Sequence, residues 1–313
     1  MKMPNTTDDA PAGTTGTSYV DQAGRGEHRW WRYLLGLVVV LVLYFVVGTA
    51  ASLALTYAFT GGFDISALGP VAGFVVTMAG FPFFLAGIVL AVTRVHRRPL
   101  RTLVTGRARI EWRRVGQGFA IWLALWCLVA AGQFALAPGS FSVGDDLAAL
   151  ALFAPLALVL TAIQTTTEKL FFRGYVVQAA SRVWGNRVFL ALVSAVAFTS
   201  VHLGNPEAGS GGWLTVFTGY FLGTGLIWVV VSLIDGTTEL AIGAHFANNT
   251  AGFLLLGTAG TVVSTPALFT IARFDPVLSA LSSVIIAALF LVIVLRFLKR
   301  DRTPARSADT SAQ

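Results

Sequence analysis

The chain alternates long apolar stretches with short polar links. Eight stretches contain no Asp, Glu, Lys or Arg and reach about 20 residues or more, the length that an α-helix needs to cross a bilayer. This pattern predicts an all-α fold, a polytopic helical bundle in a membrane with about eight transmembrane helices. The stretches are Tyr33–Phe59, Ile65–Thr93, Val115–Gly144, Leu147–Thr167, Val188–Pro206, Ala208–Ile234, Leu240–Ala272 and Pro276–Leu295.

Positively charged residues mark one side of this predicted bundle. The link over residues 94–114 carries eight arginines, whereas the links over residues 60–64 and 138–146 carry no Lys or Arg. Basic residues return at Arg182 and Arg187, and again after the last apolar stretch. Because basic loops stay in the cytoplasm, this alternation predicts a multi-pass protein of the plasma membrane with both termini in the cytoplasm.

Composition narrows the class of protein. The apolar fraction is 55% and the charged fraction is 12%, about half that of a typical soluble domain, so a soluble globular protein and a chain disordered throughout are both excluded. The single cysteine, Cys127, excludes an intrachain disulfide scaffold and a multi-thiolate metal site. The net charge of +7 lies at the predicted cytoplasmic edges, where it favours contact with membrane lipids and not binding of nucleic acid.

The polar side chains inside the apolar stretches lie in the second half of the chain. Glu168 follows the run Leu147–Thr167 and is followed by further apolar residues, so a continuing helix would hold its carboxylate within the membrane. In a partly dry cavity such a carboxylate can act as a general base. The alternative is that the helix ends here, with Lys169 and Arg173 reaching the lipid headgroups.

Two further pairs of residues, each with at least one polar side chain, lie in apolar stretches. Phe198 and His202 are four residues apart, as are His245 and Asn249, so each pair shares one helix face. Hydrogen bonding between helices is the simpler interpretation of either pair. Together with Glu168, however, the two histidines and the asparagine can activate a water and stabilise a tetrahedral oxyanion. Glu168, His202 and His245 are also a ligand set that a divalent metal such as Zn²⁺ accepts.

These three groups, in this order, resemble the motifs of the CPBP intramembrane protease family, also called the CAAX protease and bacteriocin-processing (Abi) family. Each motif alone is weak, but all three in order on separate apolar stretches make a fairly specific match. The first motif reads Glu168-Lys169-Leu170-Phe171-Phe172-Arg173-Gly174, and the others run from Phe198 to His202 and from His245 to Asn249.

The resemblance implies an intramembrane endopeptidase acting on a peptide or protein substrate, which is membrane-attached in the prenyl proteases of the family. Glu168 matches the glutamate that activates the attacking water, and His202 matches a histidine that positions water or a metal. His245 and Asn249 match the third motif, in which the asparagine stabilises the oxyanion. Arg173 and Phe198 are the supporting residues. The resemblance makes no cofactor certain, and a divalent metal such as Zn²⁺ stays an alternative.

The resemblance also divides the chain. Residues 1–29 are predicted to be a disordered cytoplasmic tail, and residues 30–146 to be three transmembrane helices with the basic cytoplasmic loop 94–114. Residues 147–257 form the protease-like core, residues 258–300 contain the last transmembrane helix, and residues 301–313 are a second disordered tail.

One position departs from the family pattern, since Lys169 stands where a second glutamate is usual. A glutamate there would pair with Arg173, whereas Lys169 places two positive charges on one helix face and would weaken Glu168 as a base. A catalytically weak or inactive member that acts as a membrane immunity or interaction protein is therefore an alternative function. A proton-coupled transporter is a second alternative, because an intramembrane acid and two histidines can form a proton relay.

The depth of the motifs in the membrane provides a test. Counted from the predicted helix ends, Glu168 lies toward the cytoplasmic side, whereas His202 lies about 20 Å deep. The two can meet only if the fourth helix extends beyond Thr167 as a long tilted helix, or if the fifth helix begins after Val188.

Overall fold

The computed structural model describes residues 18–258, 265–271 and 274–298. Residues 1–17 of the first predicted tail and all of the second predicted tail lie outside the described residues. Within the described ranges the helices follow the predicted apolar stretches in order. They are α1 (Trp30–Thr60), α2 (Pro70–Val95), α3 (Trp112–Leu136), α4 (Leu147–Ser181), α5 (Arg187–Ser200), α6 (Ala208–Asp235), α7 (Glu239–Thr250, continued by a π-helical turn over Ala251–Leu255) and α8 (Pro276–Leu298).

Six of these helices, in the part of the chain that the structure describes, are long and apolar enough to cross a membrane. The all-α membrane bundle is therefore confirmed, but the predicted count of about eight transmembrane helices is too high. The difference lies in α5 and α7. Helix α5 has 14 residues and reaches only about 21 Å, less than the hydrocarbon thickness of a bilayer.

Short elements connect the helices. Four 3₁₀ turns cover Val20–Gly24, Ile65–Ala67, Leu100–Leu103 and Pro138–Ser140. Three strands, β1 (Phe141–Val143), β2 (Leu256–Thr258) and β3 (Phe269–Ile271), form a small sheet in the order β1-β3-β2. Strand β3 is antiparallel to β1, with Ser142 opposite Thr270, and parallel to β2, with Gly257 opposite Thr270. The sheet joins the ends of α3 and α7 to the segment that precedes α8.

Helix α4 resolves the question of depth. It continues through Glu168 as a π-helical segment over Lys169–Tyr175 and ends at Ser181. Glu168 therefore lies about 20 Å before the end of α4, and His202 lies about 22 Å after the start of α5, which begins beyond the same short link. The long fourth helix brings the two residues to a similar depth.

Helices α3 and α7 touch through their backbones at two glycines. A Cβ on Gly243 would lie 1.9 Å from the carbonyl oxygen of Val115, and a Cβ on Gly118 would lie 2.2 Å from that of Leu240. Only glycine permits this separation, because any side chain would push the helices apart. The contact sets the position of His245, two residues after Gly243.

Residues 18–29, in the predicted first tail, are packed against the bundle, and we call them the N-terminal strap. Tyr19 of the strap is fully buried, and its carbonyl oxygen accepts a 2.6 Å hydrogen bond from Gln178 of α4. The loop after α2 binds the rest of the strap through two hydrogen bonds. Arg98 donates to the carbonyl oxygen of Gln22 at 2.6 Å, and His96 Nδ1 donates to the carbonyl oxygen of Glu27 at 2.8 Å.

The buried His96 ring makes the stability of this packing depend on pH. Burial lowers the pKa of His96 from its usual 6.5, the hydrogen bond to Glu27 opposes the shift, and the nearby Arg98 and Arg32 charges lower the pKa further. Between the folded and the unfolded pKa, the unfolded chain binds a proton at His96 and the folded chain does not. The contribution of His96 to the free energy of unfolding is therefore complete above pH 6.5 and is lost as the pH falls toward the folded pKa.

We expect the melting temperature of the detergent-solubilised protein to decrease as the pH falls from about 7 to 5. The variant His96→Gln keeps a side-chain N–H donor but cannot be protonated, so its melting temperature should decrease less over that range. If the melting temperatures of the two proteins decreased by the same amount between pH 7 and pH 5, protonation of His96 would not be the cause.

Candidate active site

The four predicted site residues line one cavity of about 600 Å³. Glu168 comes from α4, His202 from the turn after α5, and His245 and Asn249 from α7. Side chains from three separate segments of the chain therefore face the same space, and Phe198 forms part of its wall.

Glu168 and His245 form the closest pair. Glu168 Oε2 lies 3.6 Å from His245 Nε2, and the two side chains are only 8% and 4% exposed. Glu168 Oε2 has no hydrogen-bond partner among the described residues. A buried carboxylate oxygen without a donor is unfavourable, so it is a group suited to bind a water or a substrate.

His202 has a defined tautomer. Its Nδ1 lies 2.7 Å from the carbonyl oxygen of Phe198, which can only accept, so Nδ1 carries the hydrogen. In the neutral ring Nε2 is then a hydrogen-bond acceptor. The ring is packed between Phe198 and Tyr220, with centroid distances of 4.3 and 5.1 Å.

A chain of side-chain hydrogen bonds orients Asn249. The indole Nε1 of Trp122 donates to Asn248 Oδ1 at 3.2 Å, and Asn248 Nδ2 donates to Asn249 Oδ1 at 3.1 Å. Asn249 Nδ2 then donates to Gln164 Oε1 at 2.9 Å. Gln164, Asn248 and Trp122 are not among the site residues predicted from the sequence. Gln164 lies four residues before Glu168 on the same helix face, and this spacing could have identified it as a cavity residue. Nothing in the sequence around Trp122 indicates its contact with Asn248.

Arg173 does not line the cavity but joins three helices behind it. Its guanidinium donates to the carbonyl oxygens of Thr224 and Gly225 in α6 at 2.7 and 2.9 Å. A further hydrogen bond of 3.3 Å reaches Ser194 Oγ in α5. The guanidinium carbon also lies 4.7 Å from the centre of the Phe198 ring. Arg173 therefore stabilises the packing around Phe198.

Lys169 is fully buried behind the histidines, and its ammonium has no hydrogen-bond partner among the described residues. Its Nζ lies 4.1 Å from the centre of the Trp228 ring and 4.8 Å from that of Phe198. Cation–π contacts of this kind offset part of the cost of burying an ammonium group.

We expect Lys169→Met to raise the free energy of unfolding by about 1–3 kcal/mol, because Met fills the same space without a desolvated charge. Thermal unfolding in detergent measures the change. A matched variant, Arg113→Met, removes an exposed charge and should leave stability nearly unchanged. A less stable Lys169→Met protein would show that the ring contacts outweigh the desolvation.

The geometry also tests the alternative metal site of Glu168, His202 and His245. In the described ranges, no group of three or more His, Cys, Asp or Glu side chains is placed to hold a metal ion. Glu168 and His245 are close, but His202 is not placed with them as a third ligand. These residues do not fit a zinc site with three protein ligands.

A bundle of membrane-spanning helices around a cavity with a buried acid, two histidines and an amide defines an integral membrane protein with an internal polar site. The Type II CAAX prenyl endopeptidase Rce1-like family matches residues 149–251, a range that contains all four predicted site residues. The uncharacterized protein YyaK of Bacillus subtilis is 30% identical over 288 residues, which cover 89% of this chain and 95% of YyaK. The chain belongs to the Rce1-like family of CAAX-type intramembrane proteases. No solved structure matches it.

Proposed function

We propose that this protein is an intramembrane endopeptidase in which Glu168 activates a water for attack on a peptide bond. The observation that carries the proposal is that Glu168, His245 and His202 all line one cavity, in which Glu168 and His245 lie 3.6 Å apart. Family membership supports the same reaction class.

The reaction follows from the hydrogen-bonding capacity of the residues. Glu168 Oε2 accepts a hydrogen from the water, and His202 Nε2 accepts the other, which orients the oxygen lone pair toward the carbonyl carbon of the substrate. As the C–O bond forms, the proton passes to Glu168. The resulting tetrahedral oxyanion needs N–H donors from the cavity wall. When the C–N bond breaks, Glu168 returns the proton to the leaving amine. His245 Nε2 lies 3.6 Å from the carboxylate that carries out these proton transfers.

The shape of the cavity supports a substrate that resides in the membrane. More than a third of its lining residues are Phe, Tyr or Trp, and it extends to Leu41, Phe45 and Val201, which are 39%, 58% and 58% exposed on the outside of the bundle. In a bilayer such apolar, outward-facing residues contact lipid. A peptide attached to a lipid chain, such as a prenyl group, could enter between α1 and the turn after α5. The aromatic wall residues include Tyr44, Phe81, Phe84, Phe171, Phe172 and Phe253.

The proposal is tested with the purified protein in liposomes and two internally quenched peptides ending in Cys-aliphatic-aliphatic-X, one farnesylated and one unmodified. We expect cleavage of the farnesylated peptide and much slower cleavage of the unmodified one. Failure to cut either peptide would contradict the proposal and favour a non-catalytic immunity or interaction protein. Proton flux across the same liposomes, without cleavage, would instead identify a proton-coupled transporter.

A further inference from the structure

A second cavity, with a volume of about 590 Å³, lies beside the cavity of the active site and is lined mainly by α3 and α8. The two cavities have eight lining residues in common, so they adjoin along a shared wall. The second cavity reaches Asn248, whose amide is hydrogen-bonded to Asn249 of the proposed site. The shared wall includes Trp126 of α3, Thr224 of α6, Asn248 of α7, and Ser279 and Ser283 of α8.

The second cavity runs along the helix axes to the end of the bundle that carries the small sheet. On α3 its lining residues extend from Trp122 to Ala137, a distance of about 22 Å along the helix. On α8 they extend from Asp275 to Ile286, which is about 16 Å. Ser140 and Asp275 precede β1 and α8 at this end, where a membrane-spanning bundle meets water. The second cavity therefore connects the bundle end with the depth of the active site.

Polar side chains on a membrane-spanning helix turn toward the second cavity. Nine of the 22 lining residues have polar side chains. Over Pro276–Ile293, helix α8 has three polar residues, and all three line this cavity, namely Ser279, Ser282 and Ser283. Gln133 of α3 also lines it and donates to Ser282 Oγ at 2.6 Å. In contrast, Leu281, next to Ser282, is 56% exposed on the outside of the bundle. Polar groups that face an internal space and avoid the lipid side are typical of a water-filled cavity.

The active-site cavity has a different opening, since it extends to the outward-facing residues Leu41, Phe45 and Val201. Hydrocarbon contains almost no water, so this side cannot supply the water that each hydrolysis consumes. A short peptide freed from its lipid chain is also unfavourable there, because its backbone groups would lack hydrogen-bond partners.

We propose that the second cavity is the aqueous route of the enzyme, through which water reaches Glu168 and the polar cleavage product leaves. The lipid-attached substrate then enters the active site from one side and water enters from another. The inference rests on the proposed peptidase function and goes beyond it by assigning the path of the second substrate, water.

The first test measures whether the second cavity holds water. A cysteine is placed at Ser282 or at Leu281 in a protein whose own cysteine, Cys127, is replaced by Ala. The two positions are adjacent on α8, but Ser282 lines the second cavity and Leu281 faces outward. A charged ammonium methanethiosulfonate is added on both sides of the liposome membrane. Because the reagent needs water and attacks the thiolate, we expect Ser282→Cys to react at least about tenfold faster than Leu281→Cys.

The second test asks whether the water-filled cavity is the route to the active site. Attachment of the ammonium group to Ser282→Cys should lower the rate of cleavage of the farnesylated peptide at least about tenfold, because the group fills part of the path. Methyl methanethiosulfonate adds only a thiomethyl group at the same position and should leave most of the activity. Ser282 does not line the active-site cavity. Affinity for the farnesylated peptide, measured in the Glu168→Gln background, should therefore be unchanged by either reagent.

The outcomes distinguish the two proposals. If Ser282→Cys and Leu281→Cys react at the same rate, the aqueous route is overturned while the peptidase function stands. The same conclusion follows if Ser282→Cys reacts quickly but the attached ammonium group leaves cleavage unchanged. If the wild-type protein cleaves neither peptide, the peptidase function fails and the route has no part in hydrolysis, although fast labelling of Ser282→Cys would still identify a water-filled cavity.

Discussion

Replacing Glu168 by Gln is expected to lower the rate of peptide cleavage by about 10³–10⁴-fold. The amide has the shape of the carboxylate but cannot take a proton from water, so the attacking hydroxide does not form. The fold should persist, because the neutral side chain fits the same space and removes a buried charge 3.6 Å from His245. Cleavage of the farnesylated peptide in liposomes measures the rate, and thermal unfolding checks the fold.

The matched control for this substitution is Glu111→Gln. The Glu111 side chain is exposed at the surface and forms an ion pair with Arg107 at 2.9 Å. Exposed pairs contribute little to stability, so this variant should cleave and unfold like the wild type. Unchanged cleavage by Glu168→Gln, in a folded protein, would remove Glu168 as the base and with it the proposed mechanism.

Gly243→Ala is expected to destabilise the protein by at least about 1–3 kcal/mol and to abolish cleavage. The added Cβ would meet the backbone of α3 at 1.9 Å from Val115 O and 2.7 Å from Phe119 N, and backbone atoms cannot rotate away as a side chain can. Helix α7 must therefore shift, which moves His245 away from Glu168. Thermal unfolding and the liposome assay report the two effects separately.

Gly116→Ala provides the comparison for this prediction. Gly116 also lies in α3, but a Cβ there meets no atom within 4 Å, and the residue is exposed. Alanine favours a helix over glycine by about 1 kcal/mol, so this variant should be as stable as the wild type or slightly more stable. Equal effects of the two alanines would show that the contact between α3 and α7 does not determine the position of His245.

Much of the architecture could be predicted from the chain alone, because the bilayer requires long apolar helices whose backbone groups are bonded within the helix. The uncharged runs locate all the helices, and the bounds of α1 and α4 begin within three residues of the predicted stretches. The motif pairs Phe198 with His202 and His245 with Asn249 lie on helical turns, where residues four apart share a face. With this spacing of four residues, the sequence selected His202, His245 and Asn249, which line the cavity with Glu168, but not Gln164 and Asn248, which line it too.

Other features could not be predicted from the hydrophobic periodicity of the sequence. Helix α5 has an apolar run typical of a full span but ends at Ser200, since the chain turns there and bonds His202 Nδ1 to the Phe198 carbonyl. The N-terminal strap has the polar composition of a tail, yet Gln178, Arg98 and His96 bind its backbone. Such hydrogen bonds join residues that are distant in sequence, so no local sequence pattern predicts them.

By itself, the sequence determined that this protein is a membrane helix bundle and which few polar side chains its apolar helices carry, because the cost of polar groups in lipid acts on each segment separately. Only the tertiary structure decided that Glu168 lies beside His245, that no three side chains in the described ranges are placed to hold a metal, and that Asn249 is hydrogen-bonded to Asn248 and Gln164. These results depend on helix length, on glycine contacts and on the direction of hydrogen bonds between helices, none of which a single segment specifies.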